Sequence, residues 1–147
     1  MSTGTVVLNT NSQLNINRDI SQVFLGNNRF ENVVHTNVTG AEEVLVAGTV
    51  MGRIAATGLL LPLIAAAVDG SQYPSGILAN DVTLAIGASA TVSICVEGEV
   101  AEEKLIFNAA ETLLTVVDGR NLRDRIAADT VGIKLITSTD LTGFDNQ

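Results

Sequence analysis

Short apolar runs separated by glycine turns occupy residues 44–137 and predict a β-rich domain. Residues 91–96 alternate with a period of two, which places Val92, Ile94 and Val96 on one face of a strand and Thr91, Ser93 and Cys95 on the other. Strands of this length at this spacing indicate a small barrel or sandwich. Further strands are expected at residues 44–54 (a hairpin or bent strand), 76–78, 82–84, 100–107 and 132–137.

The remaining apolar segments divide between one ambiguous run and one helix. Residues 59–68 are apolar throughout, so periodicity does not separate a helix from a buried strand, and Pro62 favours a strand followed by a short Ala-rich segment. Residues 120–128 predict a short amphipathic helix whose inner positions are Leu122 and Ile126. The expected fold class is therefore α+β and β-rich, with one short C-terminal helix.

The first 43 residues differ from the rest because Asn, Thr and Ser are common and apolar residues come in short bursts. The bursts at residues 4–8 and 32–38 have the β-branched content of strands but no obvious partner within the segment, and a turn is expected at Gly26-Asn27-Asn28. These features predict an extended N-terminal arm over residues 1–43, a domain over residues 44–137 and a polar tail over residues 138–147.

Composition argues against several classes of partner. The formal charge is −8 and only 8 residues are Lys or Arg, so a basic surface for nucleic acid is not expected. The uncharged stretch over residues 54–68 is shorter than the roughly 18 residues that a membrane-spanning helix needs. The N-terminus has no basic segment followed by an apolar one, so synthesis without a signal peptide, in the cytoplasm, is the expectation.

The chain also offers little to a catalytic or metal site. His35 is the single histidine and Cys95 the single cysteine, which leaves no nucleophile motif and too few ligands for structural zinc. The glycines match no phosphate-binding loop, and no cofactor is expected. Paired carboxylates are the exception, so a small carboxylate-dependent hydrolase stays as an alternative that a cleft holding two of Glu97, Glu99, Glu102 and Glu103 would support.

Four blocks of sequence, in the right order, resemble the lambda-type bacteriophage head decoration proteins. The first is Gly48–Ile54 with its continuation to Leu63, and the second is Ala67–Val82 with its DGS turn, proline and Gly-Ile-Leu strand. The third runs from Thr91 to Phe107, and a weaker fourth joins Leu122–Arg125 to Gly132–Leu135. Together they cover roughly residues 44–136.

This resemblance implies a structural protein of the virion, not an enzyme. It implies a homotrimer on the outer surface of the expanded head, where it contacts the major capsid protein and stabilises the shell against the pressure of packaged DNA. The alternative outside this family is a β-domain adaptor that binds other proteins. The arm then supplies the candidate capsid-binding residues Thr5, Val6, Val7, Leu8, Val33 and Val34, and the charged residues around the helix supply the candidate trimer interface, Arg120, Arg123 and Asp124.

Overall fold

The computed structural model describes residues 23–107 and 110–137. Ten strands, one turn of 3-10 helix and one α-helix follow each other along these residues, which confirms a β-rich α+β fold with a short C-terminal helix. Before the 3-10 turn at Glu102–Lys104 the strands are β1 (Phe24–Thr36), β2 (Glu43–Leu45), β3 (Val50–Arg53), β4 (Leu60–Pro62), β5 (Pro74–Leu78), β6 (Val82–Leu84) and β7 (Ser89–Ala101). After it come β8 (Val116–Val117), β9 (Arg120–Asn121), α1 (Leu122–Asp129) and β10 (Gly132–Ile136).

The main sheet is built around β7. Its strand order is β1-β7-β5-β3-β4, and β10 also pairs with β7, in parallel, while the other pairs are antiparallel. The two strands at the ends of this order, β1 and β4, approach each other. The ring nitrogen Nδ1 of His35 on β1 lies 2.8 Å from the carbonyl oxygen of Leu60 on β4. The sheet therefore curves into a partly closed barrel, and two small ribbons, β2-β6 and β8-β9, flank it.

Side chains on both faces of the central strands are buried, and successive residues alternate between the two faces. Val50, Ile77 and Cys95 lie in one buried cluster together with Leu122 and Ile126 of α1. The next residue along each strand lies in a second cluster, on the other face of the sheet, whose strand members include Met51, Leu78, Val92, Ile94 and Val96. The period of two predicted for residues 91–96 is thus confirmed, and Cys95 is a buried core residue.

The helix forms as its sequence predicts. Asn121 is the N-cap residue, and its side-chain oxygen accepts a hydrogen bond from the backbone N–H of Asp124 at 3.0 Å. Leu122 and Ile126, four residues apart, are its buried positions and pack against the sheet. The chain then returns in β10 to pair with β7.

Three expectations need correction. Residues 24–36 of the expected arm form β1, which pairs with β7 from Phe24 to Thr36 and is therefore part of the sheet. Residues 44–54 do not form a hairpin, because β2 pairs with β6 whereas β3 pairs with β4 and β5. No separate strand covers residues 100–107, since β7 continues to Ala101 and the 3-10 turn follows.

Asp69 stabilises the turn between β4 and β5 and gives that turn a pH dependence. Its carboxylate accepts hydrogen bonds from the Ser71 hydroxyl at 2.6 Å and the Ser71 N–H at 3.0 Å, which hold the pKa of Asp69 below its usual value. A lowered folded-state pKa contributes stability above the unfolded-state pKa and loses it as pH falls through the folded one. We expect wild type to exceed Asp69→Asn in urea stability at pH 6, with the difference shrinking toward about pH 3. A constant difference would contradict this role of the charge.

Candidate functional site

Both ends of the described chain lie at one end of β7. The Ala101 N–H donates a hydrogen bond to the Val23 carbonyl at 2.7 Å, and Ile136 of β10 lies opposite Ala101 in the parallel pair. Residues 1–22 and residues 138–147 are therefore joined to the domain at neighbouring points. At the opposite end of β7, beyond Ser89, lie the loops that carry Gly40 and Gly87.

The candidate capsid-binding residues fall into two groups. Thr5, Val6, Val7 and Leu8 lie outside the described residues. Val33 is partly buried and packs against the core cluster that contains Val92 and Ile94, whereas its neighbour Val34 is 59% exposed. Of Val33 and Val34, only Val34 presents most of its side chain to solvent.

The three candidate subunit-contact residues lie close together in the chain at one corner, made by the β8-β9 ribbon and the start of α1. Arg120 is exposed on β9, and Asp124 is exposed in the first turn of the helix. Arg123 is also exposed but holds an ion pair within the chain, because its Nη2 and Nε atoms lie 2.6 Å and 2.9 Å from Oε2 of Glu102. Nearby in the chain, Leu114 and Val116 are 76% and 65% exposed, so this corner combines charge with exposed apolar surface.

A cleft of about 530 Å³ opens beside this corner. Leu105, Phe107 and Leu113 in its lining pack partly against the core, and Leu114 also lines it. Its carboxylates are those of Glu102, paired with Arg123, and Glu111. Glu111 Oε2 accepts a hydrogen bond from the Ala65 N–H at 2.9 Å, whereas its Oε1 is buried without a hydrogen-bond partner among the described residues.

The carboxylates bear on the hydrolase alternative. The cleft combines Glu102 with Glu111, so it does not hold two of the four glutamates that the alternative requires. Glu97 instead lies on β7, where its Oε1 is 2.9 Å from Nε of Arg29 on β1. These ion pairs join strands and surface segments, which is a structural use of the charges.

His35 has a structural environment that the sequence did not indicate. Its ring is buried, with Nδ1 2.8 Å from the Leu60 carbonyl and Nε2 2.8 Å from Glu43 Oε1. A second buried polar residue, Asn37, donates from its side-chain amide to the carbonyls of Ala41, Leu84 and Ala85. The two residues tie the end of β1 to the β2-β6 ribbon and β4.

Neither a membrane helix nor a metal cluster is found within residues 23–107 and 110–137. No helix there has the length and apolar content to cross a bilayer. The same residues hold no group of three or more His, Cys, Asp or Glu side chains arranged to bind a metal ion.

Comparison with known families decides the relationship that the four sequence blocks indicated. The model of the bacteriophage lambda head decoration protein D family matches residues 21–117. The chain belongs to this family. The comparison with curated proteins gives no match.

Membership in the head decoration family places the protein among the structural proteins of the phage capsid in the virion. The matched residues begin just before β1 and end with β8, so they include the strand that the sequence assigned to the arm. Residues 1–20 and the candidate subunit-contact residues Arg120, Arg123 and Asp124 lie outside the match.

Proposed function

We propose that this head decoration protein binds the outer surface of the expanded capsid as a homotrimer and stabilises the shell against packaged DNA. Family membership over residues 21–117 is the observation that carries the proposal. The major capsid protein is the proposed partner, and the protein acts without catalysis or cofactor. Three copies of a modest contact in one trimer raise the effective concentration of each, so tight attachment does not require a deep pocket.

The positions of the chain ends support an orientation on the shell. Residues 1–22 join the domain at Val23, beside Ala101, and include the strand-forming burst at residues 4–8. A segment with this strand-forming sequence is suited to adding a strand to an exposed sheet edge of the capsid protein. We therefore propose that the Ala101 end of β7 faces the shell and that the loops at Gly40 and Gly87 face outward. This orientation leaves Val33 and Val34, which pair with Val92 and Thr91 near the Ser89 end, out of the proposed capsid contact.

Deleting residues 1–22 tests the contact without removing β1. We expect the truncated protein to fold and to bind expanded, undecorated shells at least about 100-fold more weakly, because trivalent attachment amplifies the loss of each contact. The matched control is deletion of residues 139–147, which removes the other terminal segment. Binding should be measured by sedimentation with expanded and unexpanded shells, and light scattering should give the subunit number of the free protein.

Each result has a distinct meaning. Saturable binding selective for expanded shells supports the proposed function, and undiminished binding by the truncated protein would place the contact outside residues 1–22. A folded full-length protein that ignores both kinds of shell would favour the adaptor alternative. A molar mass of one subunit at all concentrations would contradict a trimer in solution.

Tag insertion at two glycine turns tests the orientation. Gly87 and Gly119 both have a positive φ, 74° and 82°, and a Cβ added at either position would have no atom within 4 Å. A short hydrophilic tag at Gly87 should leave shell binding intact and be accessible to antibody on decorated shells. The same tag at Gly119, beside Arg120, should disrupt subunit association. The reverse pattern would contradict both the orientation and the proposed subunit corner.

A further inference from the structure

We infer that the cleft lined by Leu105, Phe107 and Glu111–Leu114 binds residues 14–22 of the same chain, with Arg18 donating to the free carboxylate oxygen of Glu111. This docking sets the direction in which the rest of the N-terminal segment leaves the domain. It concerns the free protein and does not depend on the capsid-binding proposal.

The unsatisfied oxygen of Glu111 is the first observation behind this inference. Burying a carboxylate oxygen without a hydrogen bond destabilises the fold, so such atoms generally have a donor in the complete molecule. Oε2 of Glu111 already accepts from the Ala65 N–H, which fixes the side chain and leaves Oε1 without a partner among the described residues. The remaining lining is mainly apolar, so the occupant should bring a cation together with apolar side chains.

The position of Val23 is the second observation. The Val23 carbonyl accepts a hydrogen bond from the Ala101 N–H, its side chain lies next to Gly48, and it packs against the same core cluster as Leu105, Phe107 and Leu113. The segment that precedes it therefore enters the domain beside the cleft. Four residues lie between Arg18 and Val23, so the five residue steps of an extended chain, at about 3.3 Å each, cover roughly 16 Å. That reach is enough to cross a cleft of this size.

Charge and composition distinguish the two terminal segments as occupants. Residues 14–22 contain Leu14, Ile16 and Ile20 around Arg18, with Asp19 as the one acid, so they bring a cation and apolar side chains at no net charge. Residues 138–147 carry Asp140 and Asp145 and no Lys or Arg, so this tail would bring like charge to Glu111. The N-terminal segment is accordingly the better complement.

Amide hydrogen exchange of the full-length protein tests the docking. In wild type we expect the amides of residues 14–22 to exchange more slowly than in a free peptide of the same sequence. Glu111→Gln can keep one oxygen for the Ala65 N–H while placing an NH₂ group where Arg18 needs an acceptor, and Arg18→Gln removes the cation. Each variant should raise the exchange rates of these amides roughly five-fold, the change expected when a partly buried ion pair is lost. Amides of β7 should be unaffected, which shows that the fold is intact.

Controls make the outcome decisive. Glu42→Gln changes the same chemical group on an exposed loop and should leave the exchange of residues 14–22 as in wild type. Peptide-like exchange of these residues in wild type would overturn the inference. So would restored protection on mixing the Arg18→Gln and Glu111→Gln proteins, because that result would mean docking onto a neighbouring copy. Shell binding is measured separately, so failure here and failure of the proposed function are distinguishable.

Discussion

Gly98→Ala is expected to lower the free energy of unfolding by about 3 kcal/mol or more, since it combines backbone strain with a steric clash. Gly98 lies in the middle of β7 with φ 116°, a conformation that L-residues rarely adopt. A Cβ at this position would lie 2.6 Å from the Asn28 Cα and 2.7 Å from the Asn27 carbonyl oxygen. Both obstacles are backbone atoms of β1, so the two strands would have to separate.

Urea unfolding of Gly87→Ala provides the matched control. Gly87 also has a positive φ, 74°, but a Cβ added there would have no atom within 4 Å. This variant should therefore lose only about 1 kcal/mol, the cost of a left-handed conformation without a clash. Equal losses in the two variants would show that close approach between β1 and β7 is not the reason for glycine at position 98.

The close approach of β1 and β7 near Gly98 also shows why the sequence did not predict the position of β1. The pairing of β1 with β7 is irregular between Phe24 and Phe30, where Asn27 has a positive φ of 53°. Glycine and asparagine at positions 26–28 resemble a turn in the sequence, but in the structure they form an irregularity within a continuous strand. The partner strand lies more than 50 residues away along the chain, so local pattern carries no information about the pairing.

Charge explains why a separate strand was expected at residues 100–107, where β7 in fact continues to Ala101. Glu97-Gly98-Glu99 interrupts the apolar alternation and indicates the end of a strand. In the structure Glu97 reaches across to Arg29, and β10 pairs alongside from Glu97 to Ala101, so the strand continues. The helix and β10 were predicted well because their patterns are local. The four-residue spacing of Leu122 and Ile126 and the apolar run at residues 132–136 each lie within a few residues of sequence.

The candidate site was predictable only in part. The charged corner could be found because Arg120, Arg123 and Asp124 are neighbours in the sequence, although the partner of Arg123 is Glu102, about twenty residues earlier. The cleft could not be found from the sequence, although its lining lies within residues 102–114, because its shape depends on how this segment packs against the core. Nothing in the local sequence sets Glu111 apart from the other acids, whereas the structure distinguishes it by its hydrogen bond with Ala65 and its buried Oε1.

Glu43→Ala is expected to have the second large effect, a loss of about 3 kcal/mol, because it removes one partner of a buried polar pair. The His35 and Glu43 side chains are 2% and 9% exposed, and both groups facing the His35 ring are oxygen atoms. The Leu60 carbonyl accepts a hydrogen bond from Nδ1–H, which leaves Nε2 hydrogen-bonded to the Glu43 carboxyl. Without Glu43, a buried ring nitrogen on β1 loses its partner where β1 meets β4 and the β2-β6 ribbon.

Glu43→Gln separates this hydrogen bond from simple loss of bulk. The amide retains the length of the side chain and can donate to an unprotonated Nε2 or accept from a protonated one, so we expect it to recover most of the stability lost in Glu43→Ala. Glu42→Ala, one residue earlier and exposed, should change the free energy of unfolding by less than about 0.5 kcal/mol. Urea unfolding at neutral pH measures all three variants. Equal destabilisation by Ala and Gln at position 43 would mean that packing, and not the bond to His35, holds the end of β1 in the barrel.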